Sequence, residues 1–282
     1  MTLKQRLQQP GIVTAPGVYD AFSALLVEQA GFQAAYLSGA SIAYTRFGRP
    51  DIGFLSLDDV ASVMRNIRER VALPLIVDAD TGFGNALNVR HAVRTLERAG
   101  ADCIQLEDQV APKRCGHFSG KEVIPTEEAV GKIKAAVDAR RDPDLMIMAR
   151  TDACATLGFE AAVERALRFA EAGADLLFVE AVTTPDQIRA LPGRLPVPQL
   201  MNMVIGGRTP ITDAQELESL GYGVVLYANA ALQGAVAGMQ KALGVLKAQR
   251  RIDEDPALVA PFAERQRLVG KPGWDELEKR YS

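Results

Sequence analysis

Lys113-Arg114-Cys115-Gly116-His117 places a thiol among two cations and an imidazole, beside a glycine that lets the backbone bend. Positive neighbours favour the thiolate, so such a cysteine suits proton donation or nucleophilic attack. The plainer alternative is an incidental surface-loop thiol. Just upstream stands the acidic pair Glu107-Asp108, and Asp78 and Asp80 form a second acidic tip. Three converging carboxylates repel one another unless something positive lies among them. A divalent cation would meet that need, and all-oxygen ligation favours Mg²⁺, which keeps waters and uses only one or two carboxylates directly. A structural salt-bridge network with Arg150, Lys113 or Arg114 would meet it too. Zinc is disfavoured, because the histidines are only His91, inside a predicted helix, and His117.

Arg150 offers a planar bidentate donor and Asn202 a neutral amide, the groups that grip a carboxylate. With Ser38 and Gly39 they point to a small di- or tricarboxylate, or an α-keto acid that chelates Mg²⁺. Glu180 reads either as a base or as a support for Arg150. Asp51, in Arg49-Pro50-Asp51-Ile52-Gly53, reads as a turn former. Cys103 and Cys154 read as inert. A nucleotide-binding reading of Gly116-His-Phe-Ser-Gly120-Lys121 fails as a P-loop, with one residue too few between the glycines and Glu122 where Ser or Thr is required.

These residues need a scaffold that brings distant segments together. Short β-branched and leucine-rich runs at 12–15, 34–37, 75–78, 103–107, 145–149, 175–179, 199–203 and 224–227 alternate with amphipathic stretches at 20–30, 57–70, 86–99, 126–139 and 159–172. That alternation predicts β/α units around a parallel sheet. Several helices end in Ala-Gly, the left-handed stop that glycine accepts cheaply. Ser38-Gly39, Asp78, Asp80, Glu107-Asp108, Arg150-Thr-Asp152, Glu180 and Asn202 all fall at the carboxyl tips of the predicted strands. In a (β/α)8 barrel those tips share one face, the face that carries active sites. An open dinucleotide-binding sheet would show a Gly-rich turn after its first strand, and none is present. The barrel is expected over 1–250. After it, the polar Arg251-Ile-Asp-Glu-Asp-Pro256 linker leads to a helical extension, 251–282, with short helices near 257–268 and 274–281.

Composition narrows the partners. The chain has 282 residues, 48% hydrophobic and 24% charged, with 32 basic and 35 acidic residues for a net charge of −3. There is no long basic block to track a phosphate backbone, so nucleic-acid binding is not expected. No signal peptide or membrane span is read, and three cysteines are too few for a disulfide framework. A reducing, cytoplasmic setting is expected.

The chain resembles the isocitrate lyase and phosphoenolpyruvate mutase superfamily, in its methylisocitrate lyase and dimethylmalate lyase or petal-death branches. The matching segments are Tyr36-Leu-Ser-Gly39, Pro50-Asp-Ile-Gly53, Val77-Asp-Ala-Asp-Thr-Gly82, Glu107-Asp-Gln109, Lys113 to His117, Ala149-Arg-Thr-Asp152, Phe178-Val-Glu180 and Asn202-Met203. The resemblance implies a (β/α)8 barrel whose carboxyl-terminal helices are exchanged within a homotetramer. It implies Mg²⁺, with Mn²⁺ as a substitute, held mainly through Asp80 and supported by Asp78 and Glu107 through water. It implies a carbon–carbon lyase acting on a substituted malate or methylisocitrate-type hydroxy acid by retro-aldol or retro-Claisen chemistry. Cys115, Arg150 and Glu180 would be catalytic. Substrate would be held by Tyr36, Ser38, Gly39, Asp51, Lys113, Arg114, Gly116, His117 and Asn202. Two positions depart from the relatives: Gln105 stands where methylisocitrate lyases usually have histidine, and Ile205 where the dimethylmalate branch generally has an acid. An oxaloacetate decarboxylase or acetylhydrolase is the same-superfamily alternative. A non-catalytic organic-acid-binding barrel is the alternative from a different class.

Overall fold

Short, largely apolar runs three to six residues long, rich in Val, Ile, Leu and Met, are too short for stable helices and form strands instead. The computed structural model describes residues 1–116, 120–207, 209–210 and 212–282. Among the described residues, β1 (Val13–Val18), β2 (Ala35–Leu37), β3 (Leu75–Asp78), β4 (Cys103–Glu107), β5 (Met146–Thr151), β6 (Leu176–Val179), β7 (Leu200–Asn202) and β8 (Val224–Tyr227) form one eight-stranded sheet. Its order is β6-β5-β4-β3-β2-β1-β8-β7, with every pairing parallel. A parallel bridge from Leu177 to Gln199 joins its two ends. The result is a nearly closed (β/α)8 barrel, the fold expected from the strand tips.

Successive strand side chains face opposite ways, and the sequence uses both faces. Val13, Ala15, Tyr36, Ile76, Cys103, Met148, Phe178 and Leu226 fill the barrel interior. The short helix Leu3–Leu7 adds Leu3 to that cluster. The intervening Leu37, Val77, Ile104, Ile147 and Leu177 pack outward against the helices. Helix Leu57–Arg68 meets them with Val60, Ala61, Met64 and Ile67, one face at helical spacing, and starts at a Ser56 capping box. Helix Ala21–Gln29 stops as predicted, with Gly31 at φ 83° in the left-handed region.

The structure adds elements that the periodicity did not indicate. Ser38 caps a short helix, Gly39–Ile42, which runs into a π turn at Ala43–Phe47. A further helix, Ala153–Leu157, follows β5. Helix Ala230–Gln249 is 20 residues long and buries none of them. Beyond it, the two short helices expected in the tail are present as Phe262–Leu268 and Lys271–Tyr281. They begin at Pro261 and around Pro272, since proline is at home in a first helical turn and not further in. Among the described residues no helix is long and apolar enough to cross a membrane.

Candidate active site

The acidic end of the site is built on β3 and β4. Asp78 closes β3, and its carboxylate accepts hydrogen bonds from the Gln105 amide at 3.1 Å, the Asp80 backbone N–H at 3.2 Å and the Gly39 backbone N–H at 3.3 Å. Asp80 lies two residues on, at φ 47°, a left-handed conformation that an aspartate holds only when its surroundings fix it. Glu107 ends β4 and is buried. Lys113 reaches in from the cysteine loop to within 2.8 Å of Asp51 and 2.9 Å of Asp80. Gly39 packs tightly on the acids, since a Cβ there would lie 3.1 Å from Asp78 and 3.4 Å from Asp80.

Burial pushes the Asp80 carboxyl up to about 7; Lys113 opposes the rise, while Asp78 and Asp51 add to it. Burial also raises Glu107 well above the usual carboxylate range, against the pull of Arg150 and Lys113. Asp80 Oδ1, both Glu107 oxygens and Asn202 Oδ1 are buried without a hydrogen bond. Lys113 and Arg150 stand 2.9 Å and 3.1 Å from the two acids as ion-pair partners. Buried oxygens of this kind are costly unless a ligand or cation takes them up. Among the described residues no three His, Cys, Asp or Glu side chains form a ready-made metal cage. Mg²⁺ does not require one, since it binds through one or two carboxylates and keeps its waters. The donor set therefore fits Mg²⁺, with hard oxygens, raised acid pKa values and unsatisfied lone pairs. The salt bridges expected as the alternative are present, Lys113 with Asp51 and Asp80 and Arg150 with Glu107.

Arg150 anchors the other half. Its guanidinium grips Asp152 through two bonds of 3.0 Å each, lies 3.1 Å from Glu107 and 3.6 Å from Glu180, and sits over the Phe178 ring. Glu180 follows β6; one of its oxygens accepts from the Ala181 N–H and the other from Asn202 Nδ2 at 3.3 Å. Beneath them Asp108 accepts from the Thr151 hydroxyl, the Asp152 N–H and Arg165, which fixes the β4 and β5 tips relative to each other.

The cysteine loop lies against this mouth. Gln109 holds it in place by bonding both the Arg114 N–H and the Arg114 carbonyl, and the Cys115 N–H donates to the Asp51 carbonyl at 3.2 Å. Gly116 is so close to the site that a Cβ would stand 2.5 Å from Arg150 Nη2 and 2.7 Å from Glu180 Oε2. Lys121 closes the far end, donating to the Gly116 carbonyl and, at 2.7 Å, to Asp152. Burial pushes the Tyr44 phenol up, and Cys115 and Asp51 add to the rise.

Most residues expected from the sequence are gathered here: Tyr36, Gly39, Asp51, Asp78, Asp80, Glu107, Lys113, Cys115, Gly116, Arg150, Glu180 and Asn202. Ser38 uses its hydroxyl oxygen to cap the helix after β2. Arg114 is exposed, with its backbone tied to Gln109. His117 lies outside the described residues. Sequence reasoning missed Gln105, Asp108, Asp152 and Lys121 as parts of the network. Asp108 and Asp152 stand among the polar strand tips and Gln105 is a polar residue at the inward phase of β4 between Cys103 and Glu107, whereas Lys121 left no signal.

The sequence pattern of phosphoenolpyruvate phosphomutase matches residues 3–246. The chain belongs to that family. It is 41% identical to 2,3-dimethylmalate lyase of Eubacterium barkeri over 99% of this chain and 97% of that one. It is 48% identical to 2-methylisocitrate lyase of Aeropyrum pernix over 80% of this chain and 73% of that one. Among solved structures, oxaloacetate acetylhydrolase in complex with 3,3-difluorooxalacetate superposes with a TM-score of 0.94 at 30% identity, over 99% of this chain and 96% of that one. Phosphonopyruvate hydrolase in complex with oxalate and Mg²⁺ does so with a TM-score of 0.89 at 34% identity, over 100% and 99%.

Proposed function

We propose that this family member is a Mg²⁺-dependent carbon–carbon lyase that cleaves a substituted malate or methylisocitrate-type hydroxy acid. The observation that carries the reading is the seating of Cys115-Gly116 directly over Arg150 and Glu180, beside buried acid oxygens with no hydrogen bond. The two lyase relatives support the same class of substrate. Asp80 would hold the cation, with Asp78 and Glu107 behind it; once bound, the cation would supply positive charge for an acid substrate and its enolate. Arg150 and Asn202 grip a carboxylate, with Tyr36, Gly39 and Ser38 lining the opposite side. As the carbon–carbon bond breaks, its electrons pass to the departing acid as an enolate, and the substrate hydroxyl gives its proton to Glu180 and becomes a carbonyl. Cys115 then protonates the enolate carbon. The seated loop excludes water, which strengthens Arg150 and protects the enolate.

The test is a screen of 2,3-dimethylmalate, 2-methylisocitrate, alkylmalates and oxaloacetate with Mg²⁺. Release of an oxo acid from a hydroxy acid, abolished by Cys115→Ser with binding retained, supports the lyase. The TM-score of 0.94 to oxaloacetate acetylhydrolase keeps a second reading beside it, in which oxaloacetate is the substrate and is cleaved with water to oxalate and acetate.

The same proposal covers the assembly. Residues 1–250 would form the catalytic barrel, and 251–282 would extend onto a neighbour in a homotetramer. Helix Ala230–Gln249 leaves Val236, Met239, Leu243 and Leu246 exposed, and the tail leaves Phe262, Trp274 and Tyr281 exposed, a run of apolar surface that association would cover. A reducing cytoplasm suits three cysteines, none of them in a disulfide.

A further inference from the structure

Gln105 is fully buried inside the barrel, one inward position below Glu107, and no chemistry so far has used it. An amide in that place must be oriented, and its neighbours leave one orientation. Asp78 takes the Asp80 N–H on Oδ1 and the Gly39 N–H on Oδ2, two backbone donors that cannot reverse. Its carboxylate is thus committed as an acceptor, so the group facing it at 3.1 Å must be the amide Nε2–H. The Gln105 carbonyl then faces Tyr36 at 2.9 Å, and the phenol must donate. Reversing the amide would set its oxygen against a carboxylate in a buried place.

We propose that Gln105 is a positioning residue for both halves of the site: it fixes Asp78, and through it the Asp80 turn, for the cation, and it binds the Tyr36 proton, so that Tyr36 meets a bound acid with lone pairs only. Tyr36 then accepts a hydrogen bond and donates none. An acceptor there can hold the hydroxyl proton of a bound hydroxy acid until the hydroxyl turns toward Glu180 for the transfer, whereas it offers nothing to the carbonyl of an oxo acid. The inference deepens the lyase reading and rests on it for the identity of the bound acid.

Two binding measurements test it without requiring turnover, so that loss of the lyase reading and loss of this inference are separable. Calorimetric titration with Mg²⁺ alone should show Gln105→Met binding on the order of tenfold more weakly than wild type, as for other residues that orient a metal ligand. Gln105→His should restore affinity at about pH 8, where a neutral imidazole can donate to Asp78 and accept from Tyr36. Wild-type affinity in a folded Gln105→Met protein would overturn the metal half; if that variant fails to fold, a Gln105→His protein that binds Mg²⁺ on the order of tenfold more weakly than wild type would do the same. For the substrate half, the probes are malate and succinate, which differ only in the hydroxyl. Tyr36→Phe in the Mg²⁺-loaded protein should weaken malate by about three- to tenfold and leave succinate unchanged. An unchanged malate affinity, or an equal loss for both acids, would overturn the assignment of Tyr36 as an acceptor.

Discussion

Gly116→Ala gives the most direct test of whether the cysteine loop works where it lies. The Gly116 backbone is not in a left-handed conformation, so alanine brings no backbone strain, only a methyl group. That methyl would stand 2.5 Å from Arg150 Nη2, 2.7 Å from Glu180 Cγ and 2.7 Å from Glu180 Oε2, where ordinary contact begins near 3.4 Å. Arg150 cannot yield, being held by two bonds to Asp152 with Glu107 beside it. The loop must therefore retreat by about 0.9 Å, and Cys115 moves with it. A misplacement of that size at a reacting group costs about 10²-fold in rate, or about 2.7 kcal/mol of barrier. Steady-state kinetics on the best substrate from the screen should show kcat lowered by that order, while Mg²⁺ binding and the melting temperature stay near wild type, because the loop adds little to the core. A kcat within twofold of wild type would refute the seating of this loop in the working enzyme.

Cys115→Ser should lower kcat by about 10²- to 10⁴-fold, the range for a general acid, while calorimetry shows Mg²⁺-dependent binding of the acid retained. Mg²⁺ affinity should depend on pH: the Asp80 carboxyl, pushed up to about 7, carries a proton below that value, and a cation must displace it. Affinity should then fall about tenfold for each pH unit below 7 and level off above it, and a flat calorimetric profile from pH 5 to 8 would contradict Asp80 as the main ligand. Lys121→Met removes the cation that ties the Gly116 carbonyl to buried Asp152, so limited proteolysis should cut more readily between residues 111 and 120 and kcat should fall. Leaving buried Asp152 with Arg150 as its remaining cation among the described residues should also lower stability, by about 3 kcal/mol in denaturant unfolding.

Much of this site was legible because a parallel barrel turns position along a strand into position in space. A reader who sees Asp78, Glu107, Arg150 and Asn202 each at the end of an apolar run can infer that they meet, without knowing any contact between them. What pairs with what could not be read that way. Lys113 could serve either a substrate or the acid cluster, and only the structure sets it between Asp51 and Asp80. Lys121 and Asp152 are 31 residues apart and Tyr36 and Gln105 are 69 apart, with no periodic pattern linking either pair. Strand β4 shows where the boundary lies. Its inward residues are Cys103, Gln105 and Glu107, a thiol, an amide and an acid at successive levels. Cys103 sits among apolar side chains, and burial lifts its thiol well above the ordinary range, which disfavours the thiolate. Gln105, one level up, bonds Tyr36 and Asp78. Glu107, at the tip, keeps oxygens without a hydrogen bond. Height in the barrel therefore decides which polar residue packs, which one positions and which one faces a ligand, and the sequence reveals that height through the two-residue alternation of the strand.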